Sequence, residues 1–139
     1  GKYIAPQQIE TILGGDVFIE QVAVIGNNRN YVTAIIAPNI EAIKGYAEQN
    51  GIKYEYVDEL MDNPQICKMM EERIANLQKD MAPYEKIKKF RMIKRGFSIE
   101  SGELTSTLKL RRAVILQNYA AMIEEMYNPV QGPLGGYAK

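Results

Sequence analysis

Two apolar runs rich in β-branched residues constrain the fold of this chain more than any other feature. The first covers residues 18–25 and the second covers 31–36, and the polar stretch Gly26-Asn-Asn-Arg-Asn30 separates them. Branching at Cβ favours the extended backbone of a strand, and a short connection containing Gly and Asn allows the chain to reverse. The pattern therefore predicts an antiparallel hairpin with a loop of about five residues.

Helix signals surround the hairpin. Pro6 can open a helix at its first turn, and Gly14-Gly15 would end it. Glu10 belongs to this helix, where its carboxylate can orient nearby backbone. Asn39 can cap a helix that runs to about residue 50, and Asn63-Pro64 can start one that runs to about residue 80. A short helical turn is expected at 58–61.

The C-terminal third supplies a strand and a helix. Residues 88–94 alternate charged and apolar side chains, which predicts a half-buried strand. Residues 96–107 are expected to be a loop, and 111–126 the last helix, with these side chains facing inward: Leu116, Tyr119, Ala120, Ile123 and Tyr127. The expected fold is α+β, with a three-stranded, mainly antiparallel sheet flanked by helices.

Composition excludes several functional classes. The 139 residues fit one domain, and 17 basic against 17 acidic residues leave no net charge to attract nucleic acid. The chain has no His, so the usual general base and the commonest metal ligand are missing, and no metal site is expected. The lone Cys67 cannot form an internal disulfide and has no His partner for a nucleophilic role. No apolar run approaches the roughly 20 residues of a membrane span.

The strongest chemical candidate is a single lysine in the segment Gly102-Glu-Leu-Thr-Ser-Thr-Leu-Lys-Leu-Arg-Arg112. Lys109 follows small hydroxyl residues and precedes the last predicted helix. Such a segment can present a long cation from a loop that a helix holds in place. An ammonium group delivers a compact charge to an anionic reacting centre. Taken alone, the pattern also fits an ordinary solvated lysine before a helix.

Two segments resemble motifs of one enzyme family. The Lys109 segment resembles the last motif of the adenylate-forming acyl-CoA synthetases in its long-chain fatty-acid form, except that Ser106 replaces the usual Pro. The start of the chain, Gly1-Lys-Tyr-Ile-Ala-Pro-Gln-Gln-Ile-Glu10, resembles the stretch just after the hinge of the same enzymes. Residues 84–90 resemble the family's approach to its final strand, so the resemblance covers nearly the whole chain.

The resemblance implies both a domain and a reaction. Residues 1–127 would be the mobile C-terminal lid of a long-chain fatty acid–CoA ligase, and 128–139 a flexible tail. The large N-terminal domain, absent from this chain, would be its partner and would hold the fatty acid, ATP and Mg²⁺. Lys109 would be catalytic in forming the acyl-adenylate, and Gly1, Lys2 and Tyr3 would help to bind CoA after the lid rotates. The isolated domain is expected to be inactive.

Alternatives remain at this stage. The lid could serve an enzyme that adenylates an aryl or amino acid, or the chain could be a stand-alone α+β binding module. A basic cluster could contact the CoA phosphates or form a solvated strand face: Lys86, Lys88, Lys89, Arg91, Lys94 and Arg95. Nucleic acid is not an expected partner, because the net charge is zero and no binding motif is present. The expected location is the cytoplasm, and peripheral membrane association of the parent enzyme stays open.

Overall fold

A computed structural model of the chain describes residues 3–128, and these residues form three strands with helices on both sides. The elements are α1 (Pro6–Gly14), β1 (Ile19–Ile25), β2 (Val32–Pro38), α2 (Ile40–Gln49), a 3₁₀ turn (Val57–Asp62), α3 (Pro64–Leu77), a second 3₁₀ turn (Pro83–Glu85), β3 (Ile87–Met92), α4 (Arg112–Asn118) and α5 (Ala120–Tyr127). This arrangement confirms the α+β class and the hairpin. Residues 1–2 and 129–139, which include most of the predicted tail, lie outside the described residues.

The sheet has the order β1-β2-β3, and β2 is buried at all seven of its positions. Its two neighbours run in opposite directions. Strand β1 pairs antiparallel to it, with Val24 opposite Ala34, while β3 pairs parallel to it, with Phe90 opposite Ala34. The sheet is therefore mixed, and the expected antiparallel pairing holds for one of the two pairs. The reason is that α2 and α3 lie in the connection between β2 and β3, and such a crossover returns the chain in the same direction.

Both faces of the sheet are covered. Successive side chains of a strand point to opposite faces, so Val22 and Val24 enter one core while Ala23 and Ile25 enter the other. The first and larger core contains the buried residues of α1, α2 and α3. The second contains those of α4 and α5 together with Phe97 and Leu104 from the connection that follows β3. The three-stranded sheet is thus the middle layer of a sandwich.

The predicted caps form as expected. Asn39 accepts a hydrogen bond from the backbone nitrogen of Ala42 at 3.2 Å. Asn63 accepts bonds from the first two free backbone N–H groups of α3, at Gln65 (2.9 Å) and Ile66 (3.1 Å). Each cap satisfies donors that the first turn of a helix leaves without a partner.

Helix α3 ends at Leu77, earlier than the predicted residue 80, because Gln78 turns inward toward the sheet. Its side-chain Oε1 accepts from the backbone nitrogen of Ile87 at 2.8 Å, and its Nε2 donates to the carbonyl of Ile87 at 3.1 Å. Gln78 is buried and thus satisfies both polar groups of the first residue of β3. No signal in the local sequence indicates this pairing of Gln78 with a residue nine positions later.

The predicted last helix is wrong in two respects. It is broken at Tyr119, where the backbone dihedrals (φ −112°, ψ 25°) leave the helical region. Of the five side chains predicted to face inward, Ile123 is buried, and Tyr119 and Tyr127 are partly buried against the same core. Leu116 and Ala120 are exposed, and Ile115 and Met126 enter the core in their place. Residues 114–116 are all large and apolar, so the sequence does not show which of them faces the core. In the structure it is Ile115 that packs against the sheet.

We expect Asn63→Ala to lower the free energy of unfolding by about 1 kcal/mol, because the change removes the side-chain acceptor from the first turn of α3. Urea denaturation followed by circular dichroism would measure the loss. The matched control is Gln65→Ala, an exposed position in the same turn, which should change stability by less than about 0.5 kcal/mol. Equal effects of the two substitutions would contradict the assigned cap.

Candidate functional site

Lys109 lies near the C-terminal end of a small loop that is closed by backbone hydrogen bonds. Thr105 closes this loop with three hydrogen bonds: its nitrogen donates to the carbonyl of Lys109 (2.8 Å), its carbonyl accepts from Leu108 (2.8 Å), and its Oγ1 accepts from the nitrogen of Lys109 (3.0 Å). A bridge between Leu104 and Leu110 holds the base of the loop together. We call residues 104–110 the lysine loop. Its backbone has a defined conformation despite its exposure.

The side chain of Lys109 is exposed, and no described residue forms a hydrogen bond or ion pair with its ammonium group. The hydrogen bonds of the lysine loop therefore fix the backbone of Lys109. Its four-carbon side chain stays free to carry the charge outward. A cation in this arrangement can contact an anion on another molecule or domain without first breaking an internal ion pair.

A buried carboxylate beneath the lysine loop was missed by the sequence analysis. Glu103 accepts hydrogen bonds from Ser101 Oγ (2.8 Å) and from Asn118 Nδ2 on α4 (2.9 Å). Its backbone carbonyl accepts from the nitrogen of Arg111 at 2.7 Å. Burial, together with the nearby charge of Glu103, raises the pKa of the Tyr119 hydroxyl. The signal in the sequence that could have indicated this contact is the glycine at 102. Glycine allows a positive φ, here +80°, and so lets the chain turn just before Glu103.

A second anchor joins the segment after Lys109 to the edge of the sheet. Arg112 donates to Glu10 through two bonds, Nη1 to Oε2 (2.7 Å) and Nη2 to Oε1 (3.1 Å), and Nη1 also donates to the carbonyl of Val24 (2.9 Å). Glu10 in turn accepts from the nitrogen of Val24 at 2.8 Å, which confirms that it orients nearby backbone. We call these three residues the edge junction. It connects α1, β1 and α4 within about one helical turn of Lys109.

The residues assigned to CoA are only partly described. Gly1 and Lys2 lie outside the described residues, and Tyr3 is 84% exposed. The following residue, Ile4, packs into the core formed with α1, α2 and α3, and its nitrogen donates to Asn27 Oδ1 at 3.2 Å. The lysine loop instead contributes Leu104 and Leu110 to the other core. Tyr3 and Lys109 are therefore attached to segments that pack on opposite faces of the sheet.

The basic cluster does not form one continuous solvated face. Lys88 donates to the carbonyl of Pro83, Lys89 lies 5.7 Å from the ring centre of Tyr31, and Arg91 pairs with Glu125. Lys94 and Arg95 are exposed at the end of β3. Three of the six basic side chains thus contact other residues of the domain. Fewer of them are available to bind an anionic ligand than the sequence indicates.

The single thiol among residues 3–128 is buried, and these residues contain no cluster of three or more potential metal ligands. Cys67 is buried and donates to the carbonyl of Met61 at 3.4 Å. Its burial, with the charges of Asp62 and Glu71, raises the pKa of the thiol to about 12, so the thiolate is rare at neutral pH. The described residues contain no cluster of three potential metal ligands, and no helix within them has the length and apolar character needed to cross a bilayer.

Comparison with known proteins places this site in a family context. A family model described as the AMP-binding enzyme C-terminal domain matches residues 1–131. The long-chain-fatty-acid–CoA ligase FadD15 of Mycobacterium tuberculosis is 30% identical over 129 residues, which cover 92% of this chain and 22% of that protein. Long-chain-fatty-acid–CoA ligase 1 of Homo sapiens is 30% identical over 134 residues, covering 94% of this chain and 19% of that protein. The chain thus spans about a fifth of the length of these relatives.

Solved structures support the fold. The A-PCP didomain of the carboxylic acid reductase from Segniliparus rugosus, in complex with AMP, superposes with a TM-score of 0.74 at 21% identity, over 92% of this chain and 16% of that one. The adenylation domain of a carboxylate reductase from Mycobacterium chelonae gives 0.72 at 24% identity, over 91% of this chain and 18% of that one. At these identities the likeness shows the fold alone.

We expect Arg112→Met and Glu10→Gln each to lower the free energy of unfolding by about 2 kcal/mol, because each leaves a half-buried charged or polar partner without its hydrogen bonds. A double-mutant cycle in urea should give a coupling energy of about 1 kcal/mol or more. The exposed pair of Lys44 and Glu41 is the control, and Lys44→Ala should cost less than about 0.5 kcal/mol. Additive effects at Arg112 and Glu10 would show that the edge junction does not act as one unit.

We expect Cys67 to resist modification in the folded chain. A pKa raised from 9.0 to about 12 lowers the thiolate fraction at pH 8 roughly a thousandfold, and burial slows access further. Labelling with a disulfide reagent should be complete only after denaturation. Because the folded pKa is the higher one, stability should be intact below about pH 9 and fall as the pH rises toward 12. Rapid labelling of the native chain at pH 8 would contradict this assignment.

Proposed function

This chain belongs to the family of AMP-binding enzyme C-terminal domains, and from that membership we propose that it is the lid of an ATP-dependent long-chain fatty acid–CoA ligase. The proposed parent enzyme joins a fatty acid to CoA in two half-reactions. In the first, the fatty-acid carboxylate attacks the α-phosphorus of ATP, giving an acyl-adenylate and releasing pyrophosphate. In the second, the CoA thiol attacks the acyl carbon, giving the thioester and releasing AMP. Relatives named as long-chain ligases favour this acid class over aryl or amino acids.

Lys109 is the group proposed to act in the first half-reaction. Two anions must approach each other there, and negative charge develops on the oxygens of the reacting phosphate. An ammonium group placed at those oxygens offsets the repulsion and stabilises the transition state. The exposed side chain, with no partner among residues 3–128, and the closed backbone of the lysine loop both suit this role.

The second half-reaction is assigned to the segment at the start of the chain. We propose that Gly1 and Lys2 approach CoA through their backbone and that Tyr3 contacts its nucleotide. The high exposure of Tyr3 leaves its ring available for such a contact. Glycine permits a close approach of backbone to ligand, which suits a narrow passage for the pantetheine arm.

The observation that supports the proposal is the packing of the neighbouring residues: Ile4, which follows Tyr3, lies in one core, while Leu104 and Leu110 of the lysine loop belong to the core on the opposite face of the sheet. A single orientation of the domain against a partner would present one face and withdraw the other. We propose that the lid rotates between the half-reactions as a rigid body about a hinge before Gly1. It delivers Lys109 for adenylation and then exchanges it for the Tyr3 face. Such hinge motions are a known means of gating catalysis.

Mg²⁺ accompanies ATP in this chemistry, but the described residues do not fit a metal site, since they contain no cluster of three potential ligands. Its ligands are therefore expected on the N-terminal adenylation domain, and no step assigned to this chain passes through the metal. The acyl pocket is likewise expected on that domain. The contribution of this chain is a cation, a CoA-facing segment and the motion that exchanges them.

We expect Lys109→Ala in the parent enzyme to lower fatty-acid-dependent ATP–pyrophosphate exchange by on the order of 10² to 10³, because it removes charge stabilisation from the first transition state. Transfer of preformed acyl-adenylate to CoA should change by less than about twofold, since Lys109 is withdrawn in that step. Lys109→Arg should restore little exchange, because the planar guanidinium differs in shape and reach.

The matched control is Lys68→Ala, which removes an exposed lysine of α3 that lies outside both the lysine loop and the basic cluster. It should leave both half-reactions within about twofold of wild type. Normal exchange in Lys109→Ala would make Lys109 a surface lysine and overturn its catalytic assignment. Equal loss of both half-reactions would overturn the separation of roles between the two faces.

A further inference from the structure

The residue just before Lys109 has an unusual backbone conformation. Leu108 has a φ of +66°, in the left-handed region that disfavours residues with a Cβ. The other residues with positive φ in the range 3–128 are Asn28, Gly51 and Gly102, all of types that tolerate it. Leu108 is the exception. Its conformation is maintained by the hydrogen bond from its nitrogen to the carbonyl of Thr105, which closes the lysine loop.

The side chain of Leu108 is also 66% exposed. Two further large apolar side chains on the same stretch of chain, Ile99 and Leu116, are exposed as well. A leucine with a positive φ and a largely exposed side chain buries little apolar surface to offset its backbone strain. Strain of this kind is retained where another requirement acts on the same residue, and functional sites are the common place for it.

We propose that Leu108 is a docking residue that is buried against an apolar surface of the N-terminal adenylation domain when Lys109 is delivered to the reacting phosphate. This inference rests on the proposed function. The choice of partner rests on two observations: Leu108 and Lys109 are consecutive, and both side chains are exposed, so a surface that receives the Lys109 side chain lies beside Leu108. The relatives are about four to five times as long as this chain, and their additional length would supply such a surface.

The consequence is that the equilibrium between the two positions of the lid shifts toward the adenylation position. Burial of Leu108 stabilises the adenylation position only, because in the other position the opposite face of the sheet is presented. An interaction made in one of two states shifts the equilibrium toward that state by its full free energy. Leu108 thus acts as a positioning residue for Lys109, and its removal should affect the two half-reactions unequally.

The test uses Leu108→Ala and Leu108→Gly in the parent enzyme. Both should lower ATP–pyrophosphate exchange about tenfold, the loss expected when a buried leucine contact is truncated. Transfer from preformed acyl-adenylate to CoA should stay within about twofold or rise. The matched control is Val17→Ala, which removes a similarly exposed apolar side chain (59%) in the turn between α1 and β1, and should leave exchange unchanged.

Thermal unfolding of the 139-residue chain separates docking from a structural role. Leu108→Gly relieves the left-handed strain, so its midpoint should rise by about 2–4 °C even though exchange falls in the parent enzyme. Leu108→Ala keeps its Cβ, so its midpoint should stay near that of wild type. A side chain needed only to hold the lysine loop would instead lower stability and exchange together in both variants.

The outcomes distinguish this inference from the proposed function. If both Leu108 variants retain exchange within twofold while Lys109→Ala loses it, docking by Leu108 is overturned and the catalytic role of Lys109 stands. If Lys109→Ala also retains exchange, the proposed function fails first. If sedimentation shows a dimer of the wild-type chain that Leu108→Ala abolishes, the side chain covers a second copy, and docking on the adenylation domain is overturned.

Discussion

The edge junction of Glu10, Arg112 and Val24 is the interaction on which the rest of the arrangement depends. Strand β1 lies at the edge of the sheet, and the N–H and C=O groups on its outer side face no other strand of residues 3–128. Glu10 accepts from the nitrogen of Val24 while Arg112 donates to its carbonyl, so two side chains replace the missing strand there. Glu10 is 12% exposed, and its charge needs a partner. The same contacts fix the first helix and the segment after Lys109 to one point.

The opposite edge is closed in the same manner. Gln78 satisfies both backbone groups of Ile87 at the start of β3, and its side chain is buried. Side chains in place of a neighbouring strand also limit edge-to-edge association, which is a risk for small sheets. Helices pack on both faces of the sheet and join its two cores into one unit. The proposed rotation requires the groups on the two faces to move together.

Local signals in the sequence indicate the hairpin, the caps at Asn39 and Asn63, and the approximate bounds of every strand, because these features depend on residues close in the chain. They do not indicate the direction of β3, since an alternating pattern is the same for either pairing. Nor do they indicate the contact of Glu10 with Arg112, which are separated by 102 residues. The break in the last helix at Tyr119, and the choice of Ile115 as the residue that faces the core, depend on packing against the sheet. The sequence motif predicts Lys109 as the catalytic candidate, but its exposure and the conformation of Leu108 are visible only in the fold.

Two neighbouring cations, Arg112 in the edge junction and Lys109 in the lysine loop, differ in a way that matters for the proposed function. Arg112 is tied by three hydrogen bonds to the sheet edge, whereas three residues earlier Lys109 has no side-chain partner among residues 3–128. A catalytic cation held by an internal carboxylate would have to break that pair before it could reach a phosphate, and each turnover would include that cost. Fixing the neighbouring arginine instead places the loop while leaving the ammonium free. In the proposed function, a small difference in docking free energy would then be enough to favour one position of the lid over the other. Burial of the single leucine beside the lysine, as proposed above, would supply a difference of that size.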